Sequence, residues 1–331
     1  MEARPLGALD AVLAAVARRR RLEGALRRVL ERSGYLEVTV PLLQPAEGTA
    51  DWGAGYRVLD QDGRVMDLRP DVTGPVARLC AAGDPDGPRP RRLYYQATIF
   101  RRVPGEGPRE ITQAGAERIG GAGDAADRTA ADAEVLDLAA ECLRESGADR
   151  FLLALGNAAY VRERLQSAGL HPEAAEAALR ARDHVGLAAA VGPAGAAVAA
   201  ELRWRGDVRA ALAGGIRGEG PAAAEWRVLL RALSAAGLEA VVLVEPGLLL
   251  PGSYYTGTVF EILVPGVPWP VGDGGRYDRL LGRWGRPEPA VGFALDCDRL
   301  LRALEGEAPA EWARRAWAAV RAPGGAGGGR P

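Results

Sequence analysis

Lysine is absent: all 42 basic side chains among the 331 residues are arginine. Chemistry that needs a primary amine, whether a Schiff base or a phosphate-gripping lysine, is thereby excluded. Cysteine is scarce. Cys80, Cys142 and Cys297 stand far apart with no CxxC pair, which argues against a disulfide framework or a zinc site and fits a reducing, cytoplasmic setting. The two histidines, His171 and His184, have no metal-ligand spacing and are expected at the surface. No sign of charge dominates: 42 basic against 43 acidic residues leave a net charge of −1. Nothing global therefore draws the chain to nucleic acid or to a membrane. The longest uncharged run, Val185 to Ala200, is mostly alanine and glycine and too weakly apolar to span a bilayer. No secretory leader is expected, and neither a metal nor a cofactor is implied.

What is present is an ordinary globular balance, 48% hydrophobic and 26% charged. Residues 6–32 read as a helix with an apolar stripe through Leu9, Leu13, Val16, Leu22, Leu26, Val29 and Leu30, closed by Gly34. Its basic run, Arg18 to Arg21, reads as a solvated face, with RNA or an acidic partner as the alternative. GYLEVTVPLLQPAE reads as an alternating strand ended by Pro41, and Val65 to Arg69 as another strand. Pro70 and Asp71 mark a turn into a short helix from Thr73. Thr129 to Ser146 reads as a helix opened by a Thr129/Asp132 capping box. FLLALG (151–156) is a buried strand, and 158–236 an alanine-rich helical insertion. Strand character returns at Glu239 to Val244 and at 253–264. GDGGRYD reads as a turn into a helix over Tyr277 to Trp284, and AVGFALDCDRLLRAL as a strand running into a helix. A last helix, Glu311 to Arg321, precedes a glycine-rich tail over 322–331 that is expected to be disordered. Without a regular βαβ rhythm, the pattern predicts an α+β fold, a mainly antiparallel sheet carrying helices.

The most informative stretch is Leu93 to Gly120, two strand-like runs joined by a Gly- and Pro-rich loop, Val103 to Pro108. In the second run, strand alternation puts Ile111, Gln113, Gly115, Glu117 and Ile119 on one face. An amide, a bare glycine and a carboxylate thus lie between two apolar ends. A buried carboxylate needs a partner. Two readings follow: a pocket floor awaiting an amine-bearing or cationic ligand, or an internal salt bridge to one of the many arginines.

Taken together, the motifs resemble the class II aminoacyl-tRNA synthetases in their histidyl form. The hairpin resembles motif 2, and PLLQPAE resembles motif 1. LRPDVT resembles the family's LRPEGT, SYYTGTVFE its histidine-site strand, GGRYDRLL the segment after it, and AVGFALDCDRLL motif 3. The resemblance implies a six-stranded antiparallel sheet with flanking helices over 1–321, with 158–236 inserted, and self-association through motif 1. Carried over by position, Gln113 and Glu117 are expected to grip histidine, with Tyr254 and Tyr255 on the imidazole side. Thr73 matches the Thr of LRPEGT, and Asp71 replaces its Glu and is expected to meet an α-ammonium. Arg101 is the arginine of motif 2 that is kept.

The ATP side departs from the pattern. Val103 stands where the family has the Glu of FRxE, Leu250 where it has a catalytic arginine, and Asp296 where motif 3 has its second glycine. One donor to a developing charge is worth about 2.7–4 kcal/mol in other enzymes. No anticodon-binding domain is read after motif 3. This combination resembles the regulatory subunits of ATP phosphoribosyltransferase, synthetase-like proteins that join a short-form catalytic subunit in the first step of histidine biosynthesis. The resemblance implies a hetero-oligomer, histidine as feedback effector, and no catalytic residue in this chain. A histidyl-tRNA synthetase-like adenylating enzyme and a tRNA-binding synthetase-like module are the alternatives, although tRNA is not an expected partner. A generic structural protein would leave the matched histidine-site residues unexplained.

Overall fold

The structure, a computed structural model, describes residues 13–46, 56–83, 87–101 and 110–305. The expected loop Val103 to Pro108, the last helix and the tail lie outside the described residues. The elements run α1 (Leu13–Arg32), β1 (Leu36–Glu37), β2 (Leu43–Pro45), β3 (Tyr56–Leu59), β4 (Val65–Leu68), α2 (Thr73–Ala82), β5 (Arg91–Phe100), β6 (Glu110–Ile119), α3 (Ala125–Glu145) and β7 (Leu152–Asn157). There follow α4 (Ala158–Ser167), α5 (Pro172–Arg180), α6 (His184–Val191), α7 (Ala196–Leu202), α8 (Val208–Ala210) and α9 (Pro221–Ala235). The chain then forms β8 (Val242–Val244), β9 (Thr258–Leu263), β10 (Gly272–Arg276), β11 (Ala290–Asp296) and α10 (Cys297–Leu304).

Eight strands form one sheet in the order β1-β5-β6-β11-β10-β9-β7-β8. The central six, from β5 to β7, are antiparallel to their neighbours throughout. The two edge pairs, β1/β5 and β7/β8, are parallel. The α+β reading holds, with a mixed rather than purely antiparallel sheet. A parallel pair needs a long crossover, and the helices between residues 158 and 236 are the crossover from β7 to β8. β2, β4 and β3 form a separate three-stranded sheet. His171 and His184 are exposed, as expected. No single helix among the described residues is long and apolar enough to cross a membrane.

Alternation gives the large sheet two unlike faces. One carries Tyr94, Ala116, Phe293, Phe260 and Leu155, and α1, α3 and α9 pack on it through Leu26, Val29, Val135, Leu136, Trp226 and Leu230 to form the main core. The other carries two smaller apolar patches. Tyr95, Ile99, Ile111 and Ile119 meet Val72 and Val76 beside α2, with Tyr277 and Leu281. Further along the sheet, Leu248, Leu250, Tyr255 and Val259 form the second patch. Gln113, Gly115 and Glu117 run on this divided face.

Four local expectations are corrected. GYLEVTVPLLQPAE is not one strand: it is split between β1 in the large sheet and β2 in the small one, with Pro41 between them. Strand β9 begins at Thr258, so residues 253–257 are irregular. GDGGR is a strand rather than a turn, with Tyr277 and Asp278 following it, and only Leu281–Trp284 of the next segment is helical, as a 3₁₀ turn. The glycines of β10 reflect crowding: a Cβ on Gly274 would lie 2.4 Å from the Gly292 carbonyl oxygen. Tertiary packing here overrides the turn propensity of glycine. Finally, α3 begins at Ala125, and its cap is Asp124, whose carboxylate accepts from Asp127 N at 2.8 Å. Thr129 and Asp132 lie inside that helix and form no capping box.

The cap assignment predicts that Asp124→Ala lowers stability by about 0.5–2 kcal/mol, measured by urea denaturation. An unchanged midpoint would mean that the first turn of α3 is held by its tertiary contacts alone.

Candidate functional site

Glu117 sits at the centre of the divided face and is 1% exposed. Its neighbour across β11 is Gly292, and any Cβ there would fall 1.8 Å from Glu117 Oε2. Only a glycine leaves room for the carboxylate to lie over the next strand. Two hydroxyls hold it: Thr73 Oγ1 donates to Oε1 at 2.7 Å, and the Tyr277 hydroxyl donates to Oε2. Thr73 opens α2, and Tyr277 follows β10 directly. Among the described residues no cation pairs with Glu117, so the internal salt bridge to arginine is not what the fold builds. Burial pushes its carboxyl up to about 8, with the two hydroxyl hydrogen bonds opposing and Asp71 adding to the rise.

The other expected residues surround it. Asp71, just before α2, is buried and accepts from Gly74 N at 3.2 Å. Burial raises its pKa, and Arg101 opposes. Arg101 Nη2 lies 3.4 Å from Asp71 Oδ2, while Arg101 Nε donates to the Pro70 carbonyl at 2.8 Å. The guanidinium is thus committed to the segment before α2. The Tyr254 hydroxyl donates to the Tyr255 hydroxyl at 3.1 Å, and their ring centroids are 4.3 Å apart. Tyr254 also meets Tyr277 edge-on at 6.3 Å, which closes a chain of contacts from Tyr255 to Glu117 to Thr73. Gln113 lies on the same face of β6 and is buried, and its side-chain oxygen has no donor. Such an orphaned acceptor is costly unless something fills it.

Two further residues complete the site. Tyr277 grips Glu117 directly, and Tyr95 covers Gly115: a Cβ on that glycine would lie 2.4 Å from the tyrosine hydroxyl. The GGRYD motif signalled the first, but nothing in the local pattern tied that tyrosine to Glu117. Tyr95 was legible only as one of several aromatic strand residues.

Further along this face the positive charge is spent. Asp296 caps α10 by accepting from Arg299 N at 2.9 Å, and its Oδ2 lies 3.2 Å from Arg299 Nε. Glu261 pairs with Arg182 at 2.5 Å. Asp273 is exposed on β10. Leu250 is 3% exposed, packed into the patch that contains Tyr255 and Val259. Val103 lies outside the described residues.

Comparisons with known proteins bear on the chain and its fold. The family model for histidyl-tRNA synthetase matches residues 7–300. An ATP phosphoribosyltransferase regulatory subunit of Moorella thermoacetica is 39% identical, over 93% of this chain and 84% of that protein. One of Symbiobacterium thermophilum is 37% identical, over 91% of this chain and 79% of that protein. Among solved structures, a Bacillus halodurans protein described as an ATP phosphoribosyltransferase regulatory subunit/histidyl-tRNA synthetase superposes with a TM-score of 0.83. It is 31% identical, covering 92% of this chain and 83% of its own. Apo histidyl-tRNA synthetase of Staphylococcus aureus shares the fold, with a TM-score of 0.64 at 23% identity over 94% and 72% of the two chains.

The raised pKa of Glu117 has a stability consequence with a definite sign. The unfolded chain loses this proton near 4.5 and the folded one near 8, so the native state binds more protons in between. Its contribution to stability is complete below the unfolded value and is lost as pH rises through about 8. Glu117→Gln, neutral at every pH, is therefore expected to gain stability over the parent progressively between pH 5 and about 8. Urea titrations across that range measure it; a constant difference would mean that the carboxyl titrates normally.

Proposed function

The chain belongs to the family of ATP phosphoribosyltransferase regulatory subunits, with the fold of histidyl-tRNA synthetases, and on that premise we propose that its cleft is the histidine sensor of the enzyme. In this reading a short-form catalytic subunit joins ATP to phosphoribosyl pyrophosphate, the first step of histidine biosynthesis. This chain assembles with it in the cytoplasm and makes it responsive to the end product. The chain itself carries no catalytic residue and needs no cofactor.

The observation that carries the reading is the buried, cation-free carboxyl of Glu117 on the same strand face as the unfilled acceptor of Gln113. Histidine supplies what both lack. Its imidazole, with an ordinary pKa near 6.5, meets a carboxyl near 8, so at neutral pH Glu117 donates to a neutral ring nitrogen and no net charge is buried. Tyr254 and Tyr255 provide a wall for the ring. The α-ammonium fits Gln113, Thr73 and Asp71, and Arg101 steadies Asp71. Regulation then follows from linkage: histidine must bind one state of the assembly better than another, and the partner's state alters histidine affinity by the same factor.

Adenylation by this chain is the rival reading, and the arginines oppose it. Arg101, Arg182 and Arg299 are each paired with a carboxylate, and a buried leucine stands where a charge-stabilising arginine is needed. Self-association is also part of the proposal. Leu36, Leu42, Leu43, Leu59 and Val65, from β1 to β4, are all exposed, with Leu59 at 73%. Apolar exposure on that scale is what an interface between copies would cover.

The purified chain is expected to give no histidine-dependent ATP–pyrophosphate exchange, beside an active histidyl-tRNA synthetase as control, and to confer histidine-sensitive phosphoribosyl-ATP synthesis when the short catalytic subunit is added. Exchange well above background would return the chain to the synthetases. In the reconstituted enzyme, Glu117→Ala is expected to weaken histidine inhibition by about tenfold or more, with assembly intact by light scattering. Full histidine sensitivity in that variant would place the effector elsewhere.

A further inference from the structure

Behind the candidate site, on the other face of the same strands, lies a cavity of about 330 Å³. The register places it there. Asn157 pairs with Thr258 and Arg276 with Val291, one residue out of step with Val259, Gly275 and Gly292 on the face of Glu117. The cavity is bounded by the ends of β7 and β10, the start of β9, and helices α3 and α9.

Its polar groups do not balance. The acids in its wall are already engaged. Asp132 accepts from Arg276 at 2.6 Å and from Thr258 at 2.5 Å. Glu225 holds Arg128 through both oxygens, at 2.9 and 2.7 Å. Asp278 accepts at a single oxygen, Oδ1, from Arg276 at 2.9 Å and from Ala290 N at 3.0 Å. Donors are left over. Trp226 Nε1 and Arg276 Nε are buried without an acceptor. Arg279 lines the opening, is exposed, and pairs with no carboxylate among the described residues.

Asn157 is the most telling. It is the chain's only asparagine and is 7% exposed. Its Oδ1 accepts from Tyr160 N at 2.9 Å and so caps α4. A backbone donor demands the oxygen there, which settles which way the amide points. Its Nδ2 then donates to no described residue, although Asn157 lines the cavity. Aspartate would cap the helix as well but could not donate. The residue chosen is the one that caps and still offers a proton to whatever fills the space.

We propose that this cavity binds a small oxyanion, a metabolite presenting a phosphate or a carboxylate, with Asn157 and Arg279 among its donors. The site is separate from the cleft of Glu117 and does not depend on what that cleft binds.

Calorimetric titration of the purified chain at constant ionic strength tests it, with inorganic phosphate and succinate as separate probes. Saturable binding of either is expected; phosphate alone would name a phosphoryl ligand, and succinate alone a carboxylate. Asn157→Asp keeps the helix cap and replaces the donor with an anionic oxygen, so it is expected to weaken that binding about tenfold or more. Arg279→Gln, an exposed change, is expected to do likewise. Both variants should keep the parent's thermal midpoint and whatever response to histidine the parent has, which separates loss of this site from loss of the fold or of the histidine reading. If Asn157→Asp unfolds, Arg279→Gln alone decides. Absence of saturation with both probes, or parent-like binding in the folded variants, overturns the proposal.

Discussion

A carboxyl group buried in the middle of a sheet face is the constraint around which this molecule is arranged. Leaving water is costly for a charged group, and proteins meet the cost by pairing it or by shifting its pKa until it is neutral. Glu117 takes the second course. No guanidinium reaches it among the described residues, and two hydroxyls hold it while its proton stays on to about pH 8. Three separate elements serve this one group. β11 gives up a side chain at Gly292 so that the carboxyl can lie flat, α2 begins where Thr73 can donate, and the chain leaving β10 returns Tyr277. A salt bridge would have been simpler in a chain with 42 arginines. Its absence keeps the group available to a ligand.

Three arginines near the site are engaged with carboxylates, and that engagement bears on what the site can stabilise. A site that stabilises a triphosphate and a transferring acyl phosphate needs free positive charge aimed into it. Here Arg101 serves Asp71, Arg299 serves the cap of α10, and Arg182 serves Glu261. The leucine at position 250 gains its burial from Tyr255 and Val259, so the arginine's place has become part of an apolar wall. The charges support one another: Asp296 costs little where Arg299 neutralises it, and Arg299 is held further by donating to the Pro270 carbonyl at 2.9 Å.

Much of this could be read in the sequence, for a definite reason. Alternation in β6 fixes which residues share a face, so the grouping of Gln113, Gly115 and Glu117 needed only the strand assignment. What the sequence does not carry is the partner across the strand. Gly292 and Tyr277 lie about 175 and 160 residues from Glu117, and their meaning appears only in the register of β6 with β11 and in the exit from β10. The same limit explains the misread GDGGRYD. Its glycines look like a turn until strands on both sides leave no space for a Cβ. The Thr129/Asp132 pair failed otherwise: it fits a capping pattern, but Asp124 and Asp127 do so one turn earlier. Asp132 is instead drawn into the interior by Arg276 and Thr258.

The segment from Tyr254 to Gly257 then has a significance beyond its two tyrosines. It is irregular, yet it is tied down on every side. The Tyr255 carbonyl accepts from Arg162 of α4 at 3.2 Å, Thr256 N donates to the Arg276 carbonyl at 2.8 Å, and the Gly257 carbonyl accepts from Ala158 N at 2.8 Å. Within five residues the chain passes from the face of Glu117 to the face of Asp132, touching the first turn of the helical crossover on the way. Closely packed interiors do not deform continuously. A ligand that moves the tyrosines must therefore move the Arg276 strand end and the start of α4 with them, or not move them at all. Coupling between a pocket and a distant surface requires an element with more than one arrangement that both can bias. In this fold the short, anchored stretch before β9 is where the face of Glu117, the cavity behind it and the helical crossover meet.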